Sequence, residues 1–207
     1  MPLSKEQKRL LKKLRAAKFI PVEGISNHLF TISTFSITYK LSSLGVELLS
    51  IVMDMFENNM GKLYQQSSWG LDLESKRREL DHPEARYLLV HDDCDDTKPI
   101  IGYCHFRFEV DDYDDPSCVV CFVYELQVHS QYQGKGIGKY LMGLIHRIAA
   151  KAGLNKVMLT VLNANVKARK FYDTLGYHID VTSPSQHDEN VDYEIMGNDI
   201  SKLDFNS

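Results

Sequence analysis

The chain has no apolar run long enough to cross a bilayer and no apolar segment near its start of the kind a secretory leader uses, so neither a membrane span nor a signal peptide is expected. Cysteine is scarce, with only Cys94, Cys104, Cys118 and Cys121. Cys118 and Cys121 have CxxC spacing, but residues 118–124 read as a strand, where positions three apart face opposite sides, and no second CxxC accompanies them. A zinc site or a disulfide is therefore set aside, no metal is expected, and buried thiols in a reducing compartment are the expectation. Net charge is small, −4 over 207 residues, and its negative sign argues against nucleic acid as the main ligand. Internal repeats are absent. Two phosphate-loop patterns are also missing. Gly134-Lys135 is followed by Gly136, where a Walker loop needs Ser or Thr, and a dinucleotide fingerprint would need Gly at position 139, which is Lys, and an acid within 154–160, which has none.

What is present fits one domain with a proper core, since 43% of the residues are apolar. Charge is unevenly spread. Residues 1–20 hold seven Lys or Arg and one Glu, while nine acids lie between Asp92 and Asp115 against Lys98 and Arg107. Acidic loops are often only solvated turns, but an acidic rim beside a cleft favours a cationic substrate. Residues 3–18 read as a basic amphipathic helix with Leu3, Leu10, Leu11, Leu14 and Ala17 on one stripe. Packing on the domain, nuclear targeting and contact with nucleic acid all stay open for it. The expected organisation is a helical extension over 1–20 and one domain over 21–207.

Periodicity predicts a strand over 30–39 with a phase slip at Ser33-Thr34, a helix over 44–59 continuing past Gly61 to 66, and a short charged helix over 73–80 that stops near Pro83. Strands follow at 86–91, 100–110 and 118–128, a helix at 136–150, a strand at 156–161, a helix at 166–175, and late strands at 177–181 and 193–196 around a polar loop over 182–190. This order is a mixed α/β layer around one sheet.

Residues 125–176 concentrate the chemistry. Glu125 ends an apolar strand. The loop Gln131-Tyr132-Gln133-Gly134-Lys135-Gly136 opens a helix, and a second helix begins Asn165-Val166-Lys167-Ala168 and continues to Phe171-Tyr172. Small residues before a helix leave amide groups free, and the helix dipole favours an anion there. The pattern Gln131-x-x-Gly134-x-Gly136, followed by Asn165-x-x-Ala168-x-x-Phe171-Tyr172 and Leu175-Gly176-Tyr177, resembles the acetyl-CoA elements of the GNAT superfamily of N-acetyltransferases.

That resemblance implies a single GNAT-type domain, with a mixed central sheet, flanking helices and two splayed parallel strands that admit acetyl-CoA. The pyrophosphate would be held by Gln133, Gly134, Lys135, Gly136, Ile137 and Gly138, and the pantetheine arm by Leu126, Gln127, Val128 and Asn165. Tyr172 would supply a proton or hydrogen bond to the leaving sulfur, although a core aromatic is the plainer reading of it. Glu125 is the candidate general base for direct transfer. Phe122, Val123, Tyr124 and Leu126 around it are apolar or aromatic, and desolvation raises a carboxyl towards useful basicity. A buried structural ion pair is the competing reading. Tyr124, as the next residue in a strand, nominally faces away unless a bulge turns it. His129 is a rival base, ranked lower because it lies so near the phosphate loop.

Further blocks are similar to the NatD-type N-terminal acetyltransferases: 63–70 with Tyr64 and Trp69, 75–80, 85–88, 105–109, 123–127, 156–161 and 183–185. The similarity implies substrates that begin Ser-Gly-Arg-Gly, the N-terminal tails of histone H4 and of the type-2A histone. The ribosome is a further candidate partner, and the protein is expected as a monomer in cytoplasm and nucleus. Tyr64 and Trp69 would wall a narrow pocket, with core packing as the alternative. Glu109 and Asp111, spaced by two on a strand, would pair with the substrate arginine, and Tyr193 would cover the peptide. Phe122 departs from the family pattern, which has tyrosine there, and the loop over 112–117 is longer than usual. Lysine side chains or small amines remain the alternative substrates.

Overall fold

The computed structural model describes residues 34–41, 44–111, 118–187 and 189–203. The basic helix expected over 3–18, the slip at Ser33 and the loop over 112–117 lie outside the described residues. The elements run β1 (Phe35–Leu41), α1 (Gly45–Gln66), α2 (Leu73–Leu80), β2 (Arg86–Asp92), β3 (Ile100–Val110), β4 (Val119–Val128), α3 (Ile137–Lys151), β5 (Lys156–Leu162), α4 (Val166–Thr174), β6 (His178–Ile179) and β7 (Tyr193–Asp199). The helix expected over 44–66 is continuous through Gly61, and the strand expected over 177–181 shrinks to two residues.

Each helix follows from its apolar spacing. In α1, Leu49, Val52, Met53 and Phe56 recur every three or four residues and are buried. Asp72 caps α2 by accepting from the Ser75 amide at 2.9 Å. In α3, Ile137, Leu141, Leu144, Ile145 and Ile148 form the stripe that meets the sheet. Removing one such side chain, Leu141 or Ile145, costs about 2–5 kcal/mol, because neither retains any exposed surface. None of the helices is long and apolar enough to cross a membrane, among the described residues.

The seven strands form one mixed sheet in the order β1-β2-β3-β4-β5-β7-β6. Each face carries a core. Cys104, Phe106, Cys121 and Val123 point to the α3 side, and Tyr87, Leu89 and Tyr103 point to the α1 and α2 side. This two-sided cover explains why β2 is buried along nearly its whole length. All neighbouring strands are antiparallel except β4 and β5. These run parallel and pair only at Cys121 with Val157, Phe122 with Met158 and Val123 with Leu159. Beyond that point they part.

Candidate active site

Where β4 and β5 separate lies a cavity of about 570 Å³. Its walls are Val123–Val128 of β4, residues 159–162 of β5, Asn59 and Met60 of α1, the loop residues Gln133, Gly134 and Gly136, the first turn of α3, and Asn165, Lys167, Phe171 and Tyr172. Gly134 and Gly136 sit at φ 76° and 85°, a region that costs other residues roughly 1–2 kcal/mol. Gly136 caps α3, so the amides of that first turn lack helical partners and the positive end of the dipole faces the opening. At Gly138 a Cβ would lie 3.3 Å from Phe171 Cζ, so glycine lets α3 and α4 close on each other. Gln133 braces the loop, its Nε2 donating to the Val128 carbonyl at 3.0 Å and its Oε1 accepting from Lys167 Nζ at 2.9 Å.

Of the residues expected around a cofactor, Leu126, Gln127, Val128, Gln133, Gly134, Gly136, Ile137, Gly138, Asn165 and Tyr172 line this cavity, and Lys135 does not. The Lys135 ammonium lies over the Tyr132 ring, 4.8 Å from its centroid. The lysines on the wall are Lys139, in the first turn of α3, and Lys167. Asn165 caps α4 by accepting from the Ala168 amide at 3.2 Å, and its Nδ2 lies 3.7 Å from Met60 Sδ. Tyr172 is buried beside Phe171 and Tyr177. Burial, then the nearby Cys104 and Glu125, push its phenol above the ordinary value, so it faces the cavity as a proton donor. Main-chain amides at a helix start, two lysines and the apolar walls Val123, Leu159, Val161 and Phe171 fit a diphosphate joined to an uncharged arm.

Glu125 also lines this cavity and is only 5% exposed. The apolar company expected from its chain neighbours is half of its surroundings. Val123 and Leu126 point to the α3 side, and the carboxylate meets an ammonium instead. Lys76 Nζ lies 2.8 Å from Oε1, and Gln127 Nε2 donates to Oε2 at 2.7 Å. Gln127 is held in turn by Asn59, which donates to its Oε1 at 3.0 Å. Lys76 further meets Glu79 Oε1 at 2.7 Å and Tyr64 OH at 3.4 Å, and lies over the Phe56 ring. Burial alone would lower the Lys76 pKa, but the Glu125 and Glu79 charges outweigh it and hold it above the ordinary value. The structural ion pair weighed against a catalytic acid is therefore present, on a residue that also faces the cavity.

Tyr124 is turned by a β-bulge. His105 pairs with Glu125 and Phe106 with Val123, which leaves Tyr124 without a cross-strand partner. Its ring stacks on His105 at 5.1 Å, under the Arg107 guanidinium at 4.2 Å, and its hydroxyl donates to Glu109 Oε1 at 3.0 Å. Burial and the Glu109 charge push this phenol up to about 12. Arg107 Nε donates to His105 Nε2 at 3.3 Å, so the imidazole proton sits on Nδ1, a buried atom without a partner among the described residues. Burial and the Arg107 charge hold His105 well below its ordinary value, hence neutral.

A second cavity of about 480 Å³ adjoins the first and shares Tyr64, Trp69, Tyr124 and Thr160 with it. Phe122, Tyr193, Asp72, Lys76 and Glu79 complete its main walls. Trp69 is 41% exposed, with its ring 5.5 Å from Tyr64 and 4.9 Å from Tyr193, so it walls a pocket and does not fill the core. The Ser68 amide and hydroxyl bond both Asp192 oxygens and tie this loop to the approach to β7.

Glu109 and Asp111 line neither cavity. Glu109 is engaged by Tyr124. Asp111 pairs with Lys156 Nζ at 2.7 Å, and the same ammonium meets Asp180 at 2.8 Å. Their spacing by two does not bring either of them to a cavity wall. The acids on the second cavity are Asp72, the cap of α2, and Glu79 within that helix. They were missed, as was Lys76, because an i,i+3 pair on a short charged helix is the commonest surface pattern. His129 is exposed, sits edge-on to Tyr132 and lines neither cavity. Cys104 and Cys121 are buried while Cys94 is exposed. Among the described residues there is no group of three or more metal-type side chains.

This geometry is that of a known family. Residues 47–177 match the model of the acetyltransferase (GNAT) family, and the chain belongs to that family. Over 56 residues, 27% of the chain, it is 32% identical to the uncharacterized N-acetyltransferase YycN of Bacillus subtilis (strain 168), and the match spans 36% of that protein's length. In fold it is similar to the PaiA N-acetyltransferase from Thermoplasma acidophilum in complex with coenzyme A, with 18% identity, TM-score 0.55, and 79% of this chain and 99% of that chain covered. It is also similar to Arabidopsis thaliana Naa50 in complex with the bisubstrate analogue CoA-Ac-MVNAL, with 16% identity, TM-score 0.51, and coverage of 79% and 98%.

Proposed function

We propose that this protein acetylates the α-amine of protein N-termini with acetyl-CoA, and that its substrates are the Ser-Gly-Arg-Gly tails of histone H4 and the type-2A histone. One observation carries the reading: an aromatic-walled pocket opens onto the β4–β5 cavity beside Tyr124 and Glu125. The sequence blocks that resemble NatD-type enzymes, and the bisubstrate analogue CoA-Ac-MVNAL in complex with Arabidopsis thaliana Naa50, support it. On this reading the protein acts as a monomer in cytoplasm and nucleus, on finished tails or at the ribosome.

The chain's residues divide the work. The main-chain amides of Gln133 to Gly138, with the Lys139 and Lys167 ammonium groups, would hold the diphosphate. The edges of β4 and β5 left unpaired beyond Val123 and Leu159 orient the arm. Bound acetyl-CoA supplies the acyl group as a thioester. Glu125 takes the proton that the amine loses, and the Tyr172 hydroxyl donates towards the departing sulfur. An α-amine has a pKa of about 8, so a sizeable fraction is neutral near pH 7 and one moderate base suffices. Trp69, Tyr64 and Tyr193 leave room for small first residues, and Asp72 and Glu79 offer the charge an arginine would meet.

The test is mass spectrometry of a histone H4 tail peptide incubated with the protein and acetyl-CoA. The expected product carries one acetyl group on the α-amine, and the same peptide already N-acetylated stays unchanged. Acetylation of the blocked peptide would assign lysine as the substrate instead.

A further inference from the structure

We infer that Lys76 is a positioning residue for Glu125, one jaw of a clamp whose other jaw is Gln127 held by Asn59. This rests on the reading of Glu125 as the base. Both carboxylate oxygens are engaged, Oε1 by the ammonium and Oε2 by the amide, from α2 and from β4. The second jaw is fixed at its root, since Asn59 Nδ2 also donates to the Val128 carbonyl at 3.1 Å. The carboxylate therefore has one orientation, with its remaining lone pairs free to accept from an amine. Lys76 itself is fully used, with Glu79, Glu125 and the Tyr64 hydroxyl around the one nitrogen of a side chain that is 7% exposed.

The charge around Glu125 is set by few groups. Tyr64 from α1, Tyr87 from β2, Tyr103 and Cys104 from β3, Tyr124 from β4 and Tyr172 from α4 are all pushed up by burial and stay neutral. His105 is held neutral. The charged groups are Lys76 and Glu79 on α2 and, beyond His105, Arg107 on β3, which none of the variants below alters. The Lys76 pKa is raised, so it carries its proton throughout and acts as a fixed charge, neither base nor proton shuttle. Glu79 competes for the same ammonium at 2.7 Å. Removing Lys76 and removing Glu79 must therefore move the protonation of Glu125 in opposite directions.

The experiment compares Lys76→Met, Lys76→Arg, Glu79→Gln and Glu125→Gln by the pH dependence of kcat/KM with a Ser-Gly-Arg-Gly peptide, and by the KM for acetyl-CoA. Lys76→Met is expected to shift the acidic limb up by about one pH unit, a roughly tenfold loss below it. Its KM for acetyl-CoA should hold. Glu79→Gln is expected to shift the limb down. Lys76→Arg should keep the limb and lower kcat, because the charge stays and the geometry changes. A folded Lys76→Met with an unmoved limb, or an upward shift in Glu79→Gln, overturns the proposal. Should Lys76→Met not fold, the sign of the Glu79→Gln shift decides. Wild-type turnover in Glu125→Gln would instead remove Glu125 as base, whatever Lys76 does.

Discussion

Tyr124 and Glu125 follow one another on β4 yet face the same side of the sheet, because the bulge opposite His105 and Phe106 inserts Tyr124 as an extra residue. Tyr124 stacks on His105, the residue that Glu125 opposes; Tyr124 lines both cavities and Glu125 the first. An amine that passes from the second cavity into the first would thus meet the phenol and then the carboxylate. Glu125→Gln is expected to cut kcat by about 10²–10⁴-fold while coenzyme A affinity, measured by calorimetry, stays as it is. The amide keeps the shape and can still bond Gln127, so a parallel fall in affinity would point to a collapsed cavity instead of a lost base.

The loop glycines offer a test by contrast. Gly136→Ala puts a Cβ at φ 85° and is expected to cost roughly 1–2 kcal/mol and to raise the KM for acetyl-CoA. Gly143→Ala, inside α3 with nothing within 4 Å of the new carbon, is expected to stabilise by roughly 0.5–1 kcal/mol. Thermal unfolding of the two variants should move in opposite directions.

Asp111 and Trp69 separate stability from recognition. Asp111→Ala leaves Lys156 with Asp180 alone, and is expected to cost roughly 1–3 kcal/mol in denaturant unfolding. It should treat peptides with arginine or alanine in third place alike. Trp69→Ala removes a ring that is 41% exposed and is expected to raise the peptide KM about tenfold, with a smaller effect on stability than a core truncation.

His146 makes stability depend on pH. It is buried against Tyr177, with Nε2 2.9 Å from the hydroxyl, and burial pushes its pKa from 6.5 down to about 4. The unfolded chain therefore takes up a proton that the native state refuses. The stabilisation is complete above pH 6.5 and is lost as pH falls towards 4, by about 3 kcal/mol. His146→Gln should flatten that part of the Tm-against-pH curve relative to wild type, while His105 contributes equally to both proteins.

Much of this was legible in the chain. Periodicity located α2 and β3 at their observed bounds, since one is a capped charged turn and the other a long apolar run. The glycine loop was legible because φ above zero leaves few residue choices. The partners of Glu125 were not. Lys76 lies 49 residues away, and nothing in a local pattern tells an ammonium that folds inward from one that stays in water. Asp111 failed for a related reason: alternation fixes a face, whereas the end of β5 that supplies Lys156 is set by the register of a non-adjacent strand.

The three rungs that join β4 to β5 are all that stitch the two panels of the sheet along that line. The molecule thus keeps this opening in a thinly paired seam. Whatever wedges into that seam acts as mortar, so occupancy must slow amide hydrogen exchange at the rims of both panels, and an empty protein should breathe there first.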